Sequence, residues 1–207
     1  MPYPLHLHME IIDHLKQDSI LAPVIEKHGP LALKKQKNTF LYLSYSIMSQ
    51  QLSTKVADVL RSRFLALYSS KQPGPQEVWD TEHNTLRSIG LSNAKAQYIR
   101  NVARFALDEG MEYNRLQGMD DEAVIQYLTR IKGVGKWTVE MLLMFALERE
   151  NVFPFDDLGI QTAMRSMYRI RSADKKFMYN KMHRIAAQWT PYRSYACLYL
   201  WRSRDSK

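Results

Sequence analysis

Apolar residues recur at helical spacing along almost the whole chain, which leaves little room for anything but a helical fold. Between Leu41 and Leu67 the pattern runs through Leu43, Ile47, Val56, Leu60 and Phe64, with a break near Gln50–Ser53. Ser53 is a residue type that caps helices. The spacing therefore predicts a helix over Thr54–Tyr68 with Val56, Val59, Leu60 and Leu67 turned inward. Lys71-Gln72-Pro73-Gly74-Pro75 is the strongest breaker and reads as a loop. Further helices are predicted at Asn84–Ile89, Ser92–Glu109, Asp121–Arg130, Lys136–Glu148, Leu158–Tyr168, Lys175–Gln188 and Tyr192–Ser203. Alternating strand patterns are scarce and no long internal repeat is present, so the fold class is all-α. Residues from roughly 35 to 130 suit a central helical lobe. The N-terminal residues and about 149–207 complete a second lobe of the same 207-residue unit, with a cleft expected between the two.

Composition narrows the function classes. With 45% hydrophobic residues the chain can bury a core, and its one cysteine, Cys197, excludes an internal disulfide, a four-cysteine zinc site and a cysteine-ligated iron–sulfur cluster. His6, His8 and His14 have no acid or cysteine to complete a ligand set, so no metal is expected. The start, MPYPLHLHME, lacks a cationic leader before an apolar stretch, and no apolar run is long enough to span a bilayer. The expectation is a soluble, unprocessed chain in a reducing compartment, cytoplasmic or nuclear, with no membrane partner. Charge is unevenly placed. Gln161–Lys207 holds eleven Lys/Arg against two Asp, a net +9, whereas the whole chain is +8. Such a concentrated basic stretch suits a polyanion, although a solvated helical face has the same composition.

Leu128-Thr129-Arg130-Ile131-Lys132-Gly133-Val134-Gly135-Lys136-Trp137-Thr138 reads as helix, tight turn, helix. Two glycines suit a turn too close for Cβ atoms, and the amides of Gly133, Gly135 and Lys136 would head the next helix. A phosphate oxygen fits there, with Lys132 and Lys136 adding charge. No strand precedes the turn and a third glycine is missing, so it is not a dinucleotide fingerprint.

About twenty residues on comes Val152-Phe153-Pro154-Phe155-Asp156-Asp157-Leu158-Gly159-Ile160-Gln161. Hairpin, helix and a Pro-containing segment ending in aspartate resemble the helix-hairpin-helix DNA glycosylases. The Pro-x-Asp-Asp-Leu-Gly form is similar to their 3-methyladenine DNA glycosylase II branch, in its compact all-helical form. Three further blocks resemble that branch in order: Ser46–Ser53, Leu86–Lys95 and Trp189–Ala196.

The resemblance implies a base-excision enzyme that hydrolyses the N-glycosidic bond of alkylated purines and leaves an abasic site. It implies double-stranded DNA with a flipped base as partner, and a monomeric enzyme with no required cofactor; a monovalent cation at the hairpin carbonyls stays open. It assigns catalysis to Asp157, the phosphate-binding hairpin to Lys132, Gly133, Val134, Gly135 and Lys136, the base pocket to Trp137 and Trp189, and the DNA wedge to Gln51 and Leu52. Asp157 also sits where a helix starting at Leu158 favours an ionised carboxylate, whereas Asp156 reads as a helix cap. Bifunctional relatives place a lysine nucleophile where this chain has Trp137. Helical geometry turns the preceding Lys136 about 100° away, so a hydrolytic enzyme is expected. Met141 and Leu158 stand where relatives often have aromatics. Two alternatives stay open: a non-catalytic hairpin protein that only grips DNA, and a glycosylase that also nicks it.

Overall fold

A computed structural model describes residues 5–33 and 36–204, and among these it contains thirteen α-helices and no strand. The chain begins with α1 (Leu5–Leu15) and α2 (Ala22–His28). It continues through α3 (Thr39–Ser49), α4 (Thr54–Ala66), α5 (Pro75–Asp80), α6 (His83–Ser88), α7 (Asn93–Asp108), α8 (Tyr113–Gln117), α9 (Asp121–Leu128) and α10 (Lys136–Phe145). It closes with α11 (Leu158–Met167), α12 (Lys175–Ala187) and α13 (Arg193–Arg202). Two compact units result, one of Lys35–Leu147 and the other of Met1–Lys34 with Glu148–Lys207.

Helix starts follow from local chemistry. Side chains of Asn38, Ser92, Asp120, Asp157 and Asp174 each accept a hydrogen bond from a backbone N–H in the first turn of the helix they precede. Ser53 precedes α4 but makes no such side-chain bond. The Lys71–Pro75 breaker ends by starting a helix, because Pro75 stands at the first position of α5, where its missing N–H costs nothing. Glu77 Oε2 then accepts from Gly74 N at 2.9 Å.

In the 35–147 unit, α10 is the buried element. Thr138 through Met144 are all buried on it, and it packs on α3 and α9. Around it, α7 packs on α3, α5 and α6. The inward face expected for α4 needs correction. Leu60 and Phe64 are buried, but Val56, Val59 and Leu67 are 46%, 44% and 36% exposed. One turn of α4 supplies the core contact. Its remaining apolar residues include Val56 and Val59, which line an open groove of about 620 Å³ with Leu52, Lys55, Arg63 and Lys95.

The other unit packs α11 and α2 against α13 and is tied together at Asp18. Asp18 Oδ2 accepts from Tyr168 Oη at 2.6 Å and Trp189 Nε1 at 2.9 Å, while Oδ1 accepts from the amides of Ile20 and Leu21. Burial, together with the adjacent Asp18 carboxylate, raises the Tyr168 phenol far above its ordinary pKa, so it stays a donor. One carboxylate thus joins the turn after α1 to the ends of α11 and α12. Hydrogen bonds to charged groups contribute roughly 1.5–3 kcal/mol each, and the indole N–H would be left buried and unpaired without its acceptor. Asp18→Ala should therefore lower unfolding stability by about 3 kcal/mol in a denaturant titration; a loss within 0.5 kcal/mol, the range of an ordinary surface substitution, would contradict this.

Candidate nucleic-acid and catalytic site

The hairpin lies between α9 and α10. Gly133 adopts φ +105°, and a Cβ built there would stand 2.2 Å from Cγ of Tyr98, whose ring lies directly against the turn. Asn101 Nδ2 donates to the Lys132 carbonyl at 3.0 Å, so two residues of α7 hold the turn in shape. Gly135 differs from expectation. Its φ is −96° and nothing lies within 4 Å of a Cβ built on it, so only one of the two glycines is required by space. Val134 also departs from its assigned role: its side chain is buried and its amide donates to Ile131 O at 3.0 Å. Lys132, Gly135 and Lys136 are exposed, and the first amides of α10 lack intrahelical partners by the geometry of any helix start. Lys136 Nζ lies 3.8 Å from the Glu140 carboxylate one turn on.

Next to the hairpin in sequence, Trp137 is 38% exposed and opens into a cavity of about 720 Å³. Met141 lines it from the next turn of α10, and Tyr42, Tyr45, Ser46 and Ser49 line it from α3. Those four positions follow i, i+3, i+4, i+7 and so form one helix face, a signal present in the sequence but unused. Gln51 and Leu52 border the same cavity, which brings the expected wedge and the expected pocket tryptophan together. Tyr42 Oη donates to Met141 O at 3.1 Å, and burial raises its pKa beyond the ordinary phenol range. The Arg61 guanidinium lies 4.3 Å from the centroid of the Tyr45 ring. Gln51 adopts φ 59°, an unusual conformation for a residue with a side chain.

Trp189 is not brought into this group. It is 1% exposed, and its indole donates to Asp18, so the expectation that it lines an open pocket gives way to a core role. A buried indole N–H ordinarily finds such a partner.

Asp157 is the N-cap of α11. Its Oδ1 accepts from Ile160 N at 2.8 Å and from Trp201 Nε1 at 2.9 Å, and its own amide donates to Pro154 O at 3.0 Å. Two donors at a helix N-terminus thus hold the carboxylate in place. The cap expected at Asp156 is made instead by Asp157, and Asp156 is exposed. Gly159 makes this cluster possible, because a Cβ there would stand 2.9 Å from Asp157 Oδ1 and 3.0 Å from Trp201 Cδ1. Sequence reasoning missed Trp201, since no spacing rule links positions 44 residues apart. Leu158 is 76% exposed. Around the same unit, Arg165, Arg169, Arg171, Lys175, Lys176, Lys181 and Arg184 are all exposed.

His14 Nε2 lies 3.1 Å from the Gln188 carbonyl; the side chains of His6 and His8 fall outside the described residues. Among the described residues no group of three His, Cys, Asp or Glu could hold a metal, and no helix is long and apolar enough to cross a membrane.

The two hairpin glycines separate cleanly by substitution. Gly133→Ala meets both the Tyr98 ring and an unfavourable φ, and should cost about 3 kcal/mol or more in stability. Gly135→Ala should cost less than about 1 kcal/mol, as for a helix-cap change. Equal losses in denaturant titrations of the two variants would contradict the packing described.

Known proteins resemble this chain over most of its length. Residues 45–188 match the family model described as HhH-GPD superfamily base excision DNA repair protein. The chain is 31% identical to DNA-3-methyladenine glycosylase 1 of Schizosaccharomyces pombe over 88% of its own length and 80% of that protein's. Among solved structures, the S. pombe 3-methyladenine DNA glycosylase in complex with abasic DNA superposes with a TM-score of 0.82 at 30% identity, covering 95% of this chain and 97% of that one. A DNA-3-methyladenine glycosidase from Bacillus halodurans gives the same TM-score at 34% identity, covering 95% and 89%. This chain belongs to the HhH-GPD superfamily of base excision DNA repair proteins.

Proposed function

We propose that the protein is a monofunctional DNA glycosylase that hydrolyses the N-glycosidic bond of alkylated purines such as 3-methyladenine and leaves an abasic site. The observation that carries the reading is the Asp157 carboxylate, held by Ile160 N and the Trp201 indole at the start of α11. Alkylation at a ring nitrogen gives the purine a positive charge, so it leaves C1′ with the bonding electron pair as a neutral base. Positive charge then develops on the sugar. A carboxylate about 4 Å away in a medium of effective dielectric near 20 stabilises that charge by roughly 4 kcal/mol, about a thousandfold in rate. Water attacks C1′, and Asp157 takes its proton.

In the same reading, the cavity lined by Trp137, Tyr42 and Tyr45 receives the base once it has left the duplex. Aromatic faces suit a cationic purine through stacking and cation–π attraction. Gln51 and Leu52 fill the gap left in the stack, and Lys132, Gly133, Gly135 and Lys136 grip a backbone phosphate. The exposed basic residues between Arg165 and Arg184 add sequence-independent attraction, so affinity should fall as salt rises. The enzyme acts as a monomer on double-stranded DNA, in the cytoplasm or the nucleus. A monovalent cation at the hairpin would share the carbonyls of Ile131 and Lys132, which already accept from Val134 N and Asn101 Nδ2, and no step of the reaction runs through it.

Mass spectrometry of bases released from methylated DNA tests the assignment, with 3-methyladenine expected among the products. A strand-cleaving enzyme would need an amine to attack C1′. The position after the hairpin holds Trp137, and Lys136 is exposed beside Glu140. Borohydride added during turnover should therefore trap no protein–DNA adduct, and strand breaks should appear only after alkali. A trapped adduct lost in Lys136→Ala would overturn the hydrolytic reading, and binding without any base release would leave a DNA-gripping hairpin protein.

A further inference from the structure

Lys95 is placed against the electrostatic preference of its own helix. It stands in the first turn of α7, three residues after the cap Ser92, where the positive end of the helix dipole disfavours a cation. Its ammonium serves another element. Lys95 Nζ donates to Met48 O at 2.9 Å and Gln50 O at 2.6 Å, the carbonyls at the C-terminal end of α3. That end is where a cation is favoured and where carbonyls lack intrahelical donors. Burial lowers the Lys95 pKa, which fits an ammonium drawn out of water to reach those carbonyls.

The carbonyls it holds open the loop that carries Gln51 and Leu52. Gln50 leaves the helix with ψ 127°, Gln51 turns to φ 59°, and the Leu52 amide closes the turn on Ser49 O at 3.1 Å. A left-handed conformation at a residue with a side chain persists only where its surroundings hold it. On one side the loop borders the Trp137 cavity, on the other the groove containing Lys95, Val56 and Val59. Lys95 is among the residues lining the second of these and not the first.

We propose that Lys95 is a positioning residue for DNA distortion, whose ammonium locks the Ser49–Leu52 turn so that Gln51 and Leu52 meet the base stack in one geometry. This rests on the wedge role given to that loop above. Without the ammonium the two carbonyls lose their charged donor, the turn samples other conformations, and insertion is paid for by ordering the loop first.

The test uses the full-length protein and a duplex carrying a tetrahydrofuran abasic analogue beside 2-aminopurine, whose fluorescence rises when its stacking is lost. Wild type should raise the signal at saturation. Lys95→Met, similar in length but without donors, should lose about two thirds or more of that rise and bind several-fold more weakly. Lys95→Arg should recover much of it, since a guanidinium can donate to both carbonyls. Melting temperatures show whether each variant is folded at the assay temperature. A full fluorescence rise with Lys95→Met, whatever its stability, would overturn the proposal, as would a wild type that gives no rise. Base release on an alkylated duplex separates the two readings: a wild type that unstacks 2-aminopurine but releases no base contradicts the glycosylase assignment and leaves the role of Lys95 standing.

Discussion

The contact of the Tyr98 ring with Gly133 fixes where α10 begins, and much of the 35–147 unit follows from it. Gly133 turns the chain through a conformation open to glycine, the ring closes over it, and Asn101 one turn along α7 holds the Lys132 carbonyl. The helix that starts three residues later then has its register set. Trp137 and Met141 reach the cavity, while Val139, Leu142 and Leu143 enter the core. With Lys95 on the preceding turn, one side of α7 spaces Lys95, Tyr98 and Asn101 three residues apart. It thereby touches both the loop bearing Gln51 and the hairpin turn proposed to bind phosphate. A single helix sets the geometry of the two elements assigned to DNA contact.

The second organising feature is the Asp157 cluster, where the helix cap and the proposed chemistry use the same atoms. The carboxylate caps α11, accepts the Trp201 indole, and is approached so closely by Gly159 that no side chain fits there without moving one of them. The cap immobilises the same carboxylate that we propose is catalytic. Preorganisation of this kind needs no reorientation when positive charge develops on a sugar.

Much of this was legible in the sequence, because helical period, capping residues and a tight glycine turn are local signals. Periodicity and structure agree on Thr54, Lys136, Leu158 and Lys175 as helix starts, and the helices end one to three residues before the predicted positions. What escaped depends on contacts between distant positions. Periodicity on α4 cannot tell a core from an open groove, so Val56 and Val59 were assigned inward. Trp189 and Trp201 are both tryptophans near the C-terminus. Only the partners Asp18 and Asp157 distinguish the one that is core from the one at the carboxylate. Lys95 lay within a block matched by resemblance, but its role depends on two carbonyls more than forty residues away. The pairing of Gly135 with Gly133 as equal necessities also failed, since a dipeptide spacing carries no information on the Tyr98 ring.

If the charge of Asp157 drives base release, single-turnover release by Asp157→Asn beside Asp156→Asn reads it directly. The asparagine oxygen can still accept from Ile160 N and Trp201 Nε1, so the substitution removes charge and spares the cap. A loss of about a thousandfold or more is expected at Asp157, with duplex affinity unchanged or tighter, and only a small loss at exposed Asp156. Comparable losses at both positions, or Asp157→Asn retaining release near the wild-type rate, would contradict it.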